Sequence, residues 1–163
     1  MLGQNLEKLG EYLGATPAAR APERGMVVTR VFDAPRQVVF EAWTRPEHLA
    51  RWWGPKAFTL PSCDVDFRTG GAYRMVMRGP DGTEYPFHGV YREIVPPSRI
   101  EFSAVIESGP GAAVLTVVTF DDEGGKTRVT VRQTIPALEE AARGQRQGWT
   151  ESLEKLAEHV AAR

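Results

Sequence analysis

At 163 residues the chain has the length of one domain, and 42% hydrophobic residues suffice for a real core, so a second full domain is not expected. Lys and Arg (20) balance Asp and Glu (21) to a formal net charge of -1, which argues against a chain-wide pull toward nucleic acid or anionic membrane. Cys63 is the single cysteine, so an internal disulfide is excluded, and no paired Cys/His spacing offers a structural zinc site.

The N-terminal string MLGQNLEKLGEYLG has no basic region followed by an unbroken apolar run, and nowhere do about eighteen apolar residues occur in succession. With the lone cysteine, this predicts a cytoplasmic protein without membrane contact. Leu2, Leu6, Leu9 and Leu13 form one stripe of a short amphipathic helix suited to self-association or docking. ATPAARAPERG reads as a linker. Residues 1–25 are therefore an N-terminal extension, and 26–163 the folded domain.

VVTRVFD at 27–33 carries strand formers and stops at Asp-Ala-Pro, a helix start. A first short helix over about 35–43 turns Val38, Val39, Ala42 and Trp43 inward. Thr44 and Glu47 have capping-box spacing, with Pro46 in the first turn of a second helix that ends near Trp53 at Gly54-Pro55. Adjacent helical residues diverge by about 100°, so Trp52 and Trp53 are not expected to share the interior; one lies at a pocket mouth or both plug the end of the sheet.

From there, strand patterns alternate with turn signals at Gly70-Gly71, Gly79 to Gly82, Pro96-Pro97, Gly109 to Gly111 and Asp121 to Gly125, which separates six strands. Tyr73, Met75 and Met77 share one face. So do Tyr85, Phe87, Gly89 and Tyr91; then Ile100, Phe102, Ala104 and Ile106; and Val129, Val131 and Ile135, opposite Arg128, Thr130 and Arg132. Their cover is a helix over about 137–161, with Trp149, Leu153, Leu156 and Val160 inward and Glu151–Lys155 as an i, i+4 pair on the wet side. The order, with no βαβ alternation, predicts an α+β fold with an antiparallel sheet.

Four strings, FDAPRQVVFEAWTRPEHLARWWGP, DVDFRTGGAYRM, FHGVYREIVPPSRIEF and GWTESLEKLAEHV, occur in this order. Together they resemble bacterial proteins similar to the C-terminal domain of the activator of the 90-kDa heat-shock-protein ATPase, in the START-like (SRPBCC) helix-grip superfamily. The resemblance covers about 26 to 161. It implies a curved seven-stranded antiparallel sheet around a long C-terminal helix, and a cavity between them that relatives use for apolar ligands. It implies no single activity.

Ala141, Gly144, Gly148 and Ser152 follow one edge of the long helix. Two helix-interior glycines disfavour the helix by about 1 kcal/mol each relative to alanine, which calls for close helix–sheet approach or for a ligand-sized gap. Tyr73, Met75, Met77, Phe87, Tyr91 and Phe102 are the expected pocket lining, with Trp52, Trp53 and Trp149; ordinary core packing uses the same residue types. His48, His88 and His159 are scattered, so no metal site is expected. Asp64 and Asp66 read as a surface ion-pair ladder with Arg68 and Arg74.

No nucleophile elbow or phosphate cradle occurs, and no cofactor is expected. The first expectation is therefore a protein that binds a small, largely apolar molecule. A polyketide-cyclase-like enzyme is the alternative, with Glu93 and His48 as proton-moving suspects; a chaperone-partner domain is the third reading.

Overall fold

A computed structural model describes residues 25–107, 113–134 and 139–161. The extension expected over 1–25, except Gly25, lies outside them, as does Ile135. The element order is β1 (Gly25–Phe32), α1 (Arg36–Glu41), α2 (Pro46–Trp52), β2 (Thr59–Val65), β3 (Ala72–Arg78), β4 (Glu84–Val95), β5 (Arg99–Ile106), β6 (Val114–Glu123), β7 (Lys126–Thr134) and α3 (Glu139–Ala161).

One seven-stranded sheet runs β1-β7-β6-β5-β4-β3-β2. Every neighbouring pair is antiparallel. Strands β2 to β7 follow one another as hairpins, and the α1–α2 segment carries the chain from the β1 edge to the β2 edge. The α+β expectation and the six strands after the short helices are found as read. The period-2 pattern explains the layering: Tyr73 and Met75 of β3, Phe87 and Tyr91 of β4, Ile100 and Phe102 of β5, and Val129 and Val131 of β7 are buried on one face. That face meets Trp149, Leu153, Leu156 and Val160 of α3, all buried. Thr130 is outward, yet only 7% exposed, since it stands between Thr29 of β1 and Thr119 of β6.

Three local expectations are corrected. The Thr44 hydroxyl does not cap α2; it donates to the Glu41 carbonyl at 2.8 Å, at the end of α1. Arg45 is the N-cap of α2, without a side-chain cap, and Pro46 takes the first turn as expected.

Trp52 and Trp53 are both buried, at 0% and 9% exposure. The 100° rule fails here because Trp53 has already left the helix: it is the C-cap, with extended backbone at φ -68°, ψ 135°. Its side chain is thereby freed from helical spacing, and Gly54 follows at φ +96°, the left-handed exit that glycine accommodates.

The Glu151–Lys155 pair on a wet helix face is also replaced. Lys155 turns onto the Trp53–Phe58 segment, and Glu151 accepts from the backbone N–H of Lys56 and from Gln147 Nε2.

Candidate functional site

The aromatic cluster arises where three parts of the chain converge. Trp43 follows α1, Trp53 ends α2, and Trp149 projects from α3. Trp43 stacks on Trp149 with centroids 5.9 Å apart and planes at 12°. Trp53 meets Trp149 edge-on at 5.3 Å and stacks on Phe87 at 6.2 Å. Trp52 packs on Trp43 at 4.6 Å and on Trp53 at 5.4 Å, donates its indole N–H to the Ala42 carbonyl at 3.0 Å and lines neither space described below. Trp52 is thus a core residue, not pocket lining.

Trp53 divides the interior into two spaces. On one side Tyr73, Met75, Tyr91 and Phe102, with Trp43, Leu49, Phe67 and Ile100, close around a residual void of about 10 Å³. That is about one water's worth of room, so four of the expected pocket residues form packed core in this structure. Tyr73 reinforces this side by donating its hydroxyl to the Ser103 carbonyl at 2.5 Å.

On the other side lies a cavity of about 170 Å³ between α3 and the strands. Trp53, Met77, Phe87, Ile106 and Trp149 give it apolar walls; Gly148, Ser152 and Gln145 of α3 line it with Gln133 of β7. Of the expected lining, Trp53, Met77, Phe87, Gly148, Trp149 and Ser152 belong to this cavity. Gly144 lies on α3, but its surroundings, like those of Ala141, fall outside the described residues.

Gln133 was not singled out from sequence. It follows Arg132 near the end of β7, in a strand whose apolar alternation, Val129 and Val131, continues into it. A polar residue in an inward register is the signal that would have found it. Its side chain is buried; Nε2 donates to Thr116 Oγ1 at 2.9 Å, and Oε1 is buried without a hydrogen-bond partner. Leaving such an atom unpaired costs about 1–3 kcal/mol.

The Gly54–Pro55 segment forms part of the cavity wall and is tied down by Lys155. Its ammonium is shared among the carbonyls of Trp53 at 3.4 Å and of Gly54, Pro55 and Phe58 at 3.2 Å each. Lys56 adds an ion pair to Glu154 at 2.7 Å. Burial lowers the Lys155 pKa, and Glu151 partly opposes this. In Lys155→Met those carbonyls lose their donor. Stability should fall by about 1–2 kcal/mol in denaturant unfolding, with faster amide exchange confined to the Trp53–Phe58 segment.

At Gly148 an added Cβ would meet Pro55 Cγ at 3.6 Å, an ordinary contact. Gly148→Ala is accordingly expected to stabilise the protein by about 0.5–1 kcal/mol in denaturant unfolding, through helix propensity and a less flexible unfolded chain.

Glu93 and His48, the two proton-moving suspects, are not brought to this cavity. Glu93 is exposed and accepts from Arg99 at 2.8 Å. His48 Nδ1 lies 2.9 Å from His159 Nε2, joining α2 to α3. The third histidine, His88, is exposed on the outer face, 3.0 Å from Glu107. Asp66 pairs with Arg68 at 2.8 Å, whereas Arg74 forks onto Glu107 at 2.9 and 3.0 Å, so the expected ladder is only partly formed. Among the described residues no cluster of three or more His, Cys, Asp or Glu could hold a metal ion, and no helix is long and apolar enough to cross a membrane.

A long C-terminal helix held by a curved antiparallel sheet, with a cavity between them, defines a helix-grip domain of the START-like superfamily. Residues 33–161 match the model of the family "Activator of Hsp90 ATPase homolog 1-like protein", and the chain belongs to that family.

Among solved structures, a protein from Chromobacterium violaceum is 30% identical, with a TM-score of 0.71 over 82% of this chain and 95% of that one. A protein from Nitrosomonas europaea is 24% identical, with a TM-score of 0.77 over 86% and 96%. One described as an AHSA1 protein, from Silicibacter pomeroyi, is also 24% identical, with a TM-score of 0.77 over 85% and 98%. The last two share the fold. No curated protein matches.

Proposed function

We propose that this domain binds a small, largely apolar molecule in the cavity between the sheet and α3. The observation that carries the reading is the chemistry of the wall: Trp53, Phe87, Trp149, Met77 and Ile106 border about 170 Å³, and among the described residues no charged side chain lines it. An apolar cavity of about 150 Å³ in another protein holds benzene, so this one suits a ligand of about one ring. Binding is favoured over cyclase-like proton transfer because, among the described residues, the lining contains no carboxylate or imidazole. The chaperone-partner reading draws on the family's description alone.

Thermal unfolding against benzene, toluene, indole and a medium-chain fatty acid tests this. A ligand at about 100 times its Kd stabilises by about 2.7 kcal/mol, a rise in Tm of about 5–10 °C for a chain of this size. Gly148→Leu fills the space beside Pro55 and should abolish the response while its circular dichroism stays native. No shift with any compound, or an equal shift in Gly148→Leu, would overturn the proposal.

A further inference from the structure

The connection between α2 and β2, residues 53–58, closes one side of the cavity through Trp53, Gly54 and Pro55. Its two ends are anchored by rings: Trp53 sits in the aromatic cluster, and Phe58 packs on Tyr85 of β4 with centroids 5.9 Å apart. Among the described residues, its backbone-to-backbone hydrogen bonds stay local, from Trp53 N–H to the Leu49 carbonyl at 2.9 Å and from Phe58 N–H to the Pro55 carbonyl at 3.0 Å. None reaches a strand.

The polar ties that cross to another element come from one face of α3, at i, i+3 and i+4. Glu151 accepts from the Lys56 N–H at 2.9 Å, Glu154 pairs with the Lys56 ammonium at 2.7 Å, and the Lys155 ammonium donates among the carbonyls of Trp53, Gly54, Pro55 and Phe58. Both ends of the 54–57 span are left-handed, Gly54 at φ +96° and Ala57 at φ +72°. Glycine takes that conformation freely and alanine is strained in it, so the closed form holds Ala57 against its own preference. The other described walls resist movement more. Met77, Phe87 and Ile106 stand on strands paired across the sheet, and Gly148, Trp149 and Ser152 lie within a 23-residue helix.

From this difference, and resting on the ligand-binding reading above, we infer that residues 54–57 are a gate: they swing from α3 about Gly54 and Ala57 to admit the ligand, and Lys155 is the positioning residue that holds them shut. A cavity walled by such a span exchanges its ligand at a rate set by release of the ties. Loosening a tie therefore speeds entry and escape by the same factor. The affinity stays the same, because the closed free form and the closed bound form lose the same contact.

Stopped-flow mixing with bromobenzene, whose heavy atom quenches the fluorescence of Trp53 and Trp149 in the wall, tests the gate. In Lys155→Met the association and dissociation rate constants should both rise about tenfold over wild type, with Kd changed by less than about twofold. If Lys155→Met does not fold, Glu151→Ala takes its place; it removes the acceptor of the Lys56 N–H and should raise both constants about threefold.

Unchanged rates in the folded variant, or a change in only one of the two constants, would overturn the gate and leave the apolar cavity standing. If the wild-type chain binds no bromobenzene up to its solubility limit, the ligand-binding reading falls and the gate falls with it.

Discussion

Gly89→Ala is expected to prevent stable folding, with a loss of at least about 4 kcal/mol in denaturant unfolding or no cooperative transition at all. Gly89 faces Tyr73 across the β3–β4 pair, and β4 shifts register against β5 just beyond, between Tyr91 and Glu93. At this bend the Ser103 backbone of β5 closes over the position of the absent side chain. A Cβ there would lie 1.8 Å from the Ser103 carbonyl oxygen and 2.9 Å from the Tyr73 hydroxyl.

Both contacts belong to one arrangement. The Tyr73 hydroxyl donates to that same carbonyl, and the Ser103 hydroxyl accepts from the Val90 N–H at 3.1 Å. Neither backbone can retreat without opening the ladder that holds the aromatic cluster, so a single methyl group is intolerable. Gly148→Ala, expected to stabilise, is the opposing control. Near-wild-type stability of Gly89→Ala would show that the β4–β5 approach is looser than described.

The second large effect is loss of stability in alkali. Tyr73 and Tyr91 are each 4% exposed. Burial pushes both phenols far above their usual pKa; the neighbouring Tyr91 adds to the effect on Tyr73, and Cys63 to that on Tyr91. The Cys63 thiol is itself pushed up to about 11, by burial first and then by Asp64 and Glu47. Groups with raised folded pKa values keep protons that the unfolded chain gives up, so their contribution is complete below the unfolded pKa and declines as pH rises beyond it.

For each phenol the decline is about 1.4 kcal/mol per pH unit above about pH 10, or about 2.7 for the pair. Lys155 acts in the opposite direction, since its lowered pKa adds stability as pH rises through the window below its ordinary value of 10.5. It is one partly buried group against two deeply buried phenols, and the net change is destabilising. Denaturant unfolding at about pH 9, 10 and 11 should reveal this slope, to which Cys63 also contributes, and Tyr73→Phe should lower it by about 1.4 kcal/mol per pH unit above about pH 10. An unchanged slope would place the phenols in a wetter setting than the packing indicates.

How much of this was legible in the sequence varies with the physics involved. Strand faces were readable because a period of 2 repeated over Tyr73, Met75 and Met77 leaves only two choices, and α3 because Trp149, Leu153, Leu156 and Val160 form one stripe. The division of the interior into packed core and cavity was not. Tyr91 and Met77 obey the same inward rule, yet one borders a void of about 10 Å³ and the other a cavity of about 170 Å³. What separates them is the position of Trp53, which depends on how α2 ends and on Lys155 gripping the following carbonyls, contacts about a hundred residues apart in the chain.

Gln133 was missed for a related reason. Among Arg128, Thr130 and Arg132 it looks like one more polar strand residue, and only its inward register, fixed by pairing with Met26 and Thr116, makes it unusual. His48 illustrates the reverse: a histidine judged by its own short helix turns out to belong with His159, brought beside it by α3.

The most direct test of a ligand cavity between sheet and α3 is a crystal structure grown with bromobenzene, in which the anomalous bromine signal locates the ring without interpretation of weak density. The expected result is one dominant bromine peak enclosed by Trp53, Phe87, Trp149 and Gly148, with Trp53 and the Lys155 contacts in place. A cavity collapsed around Trp149, or bromine found only on the outer surface of the sheet, would contradict it.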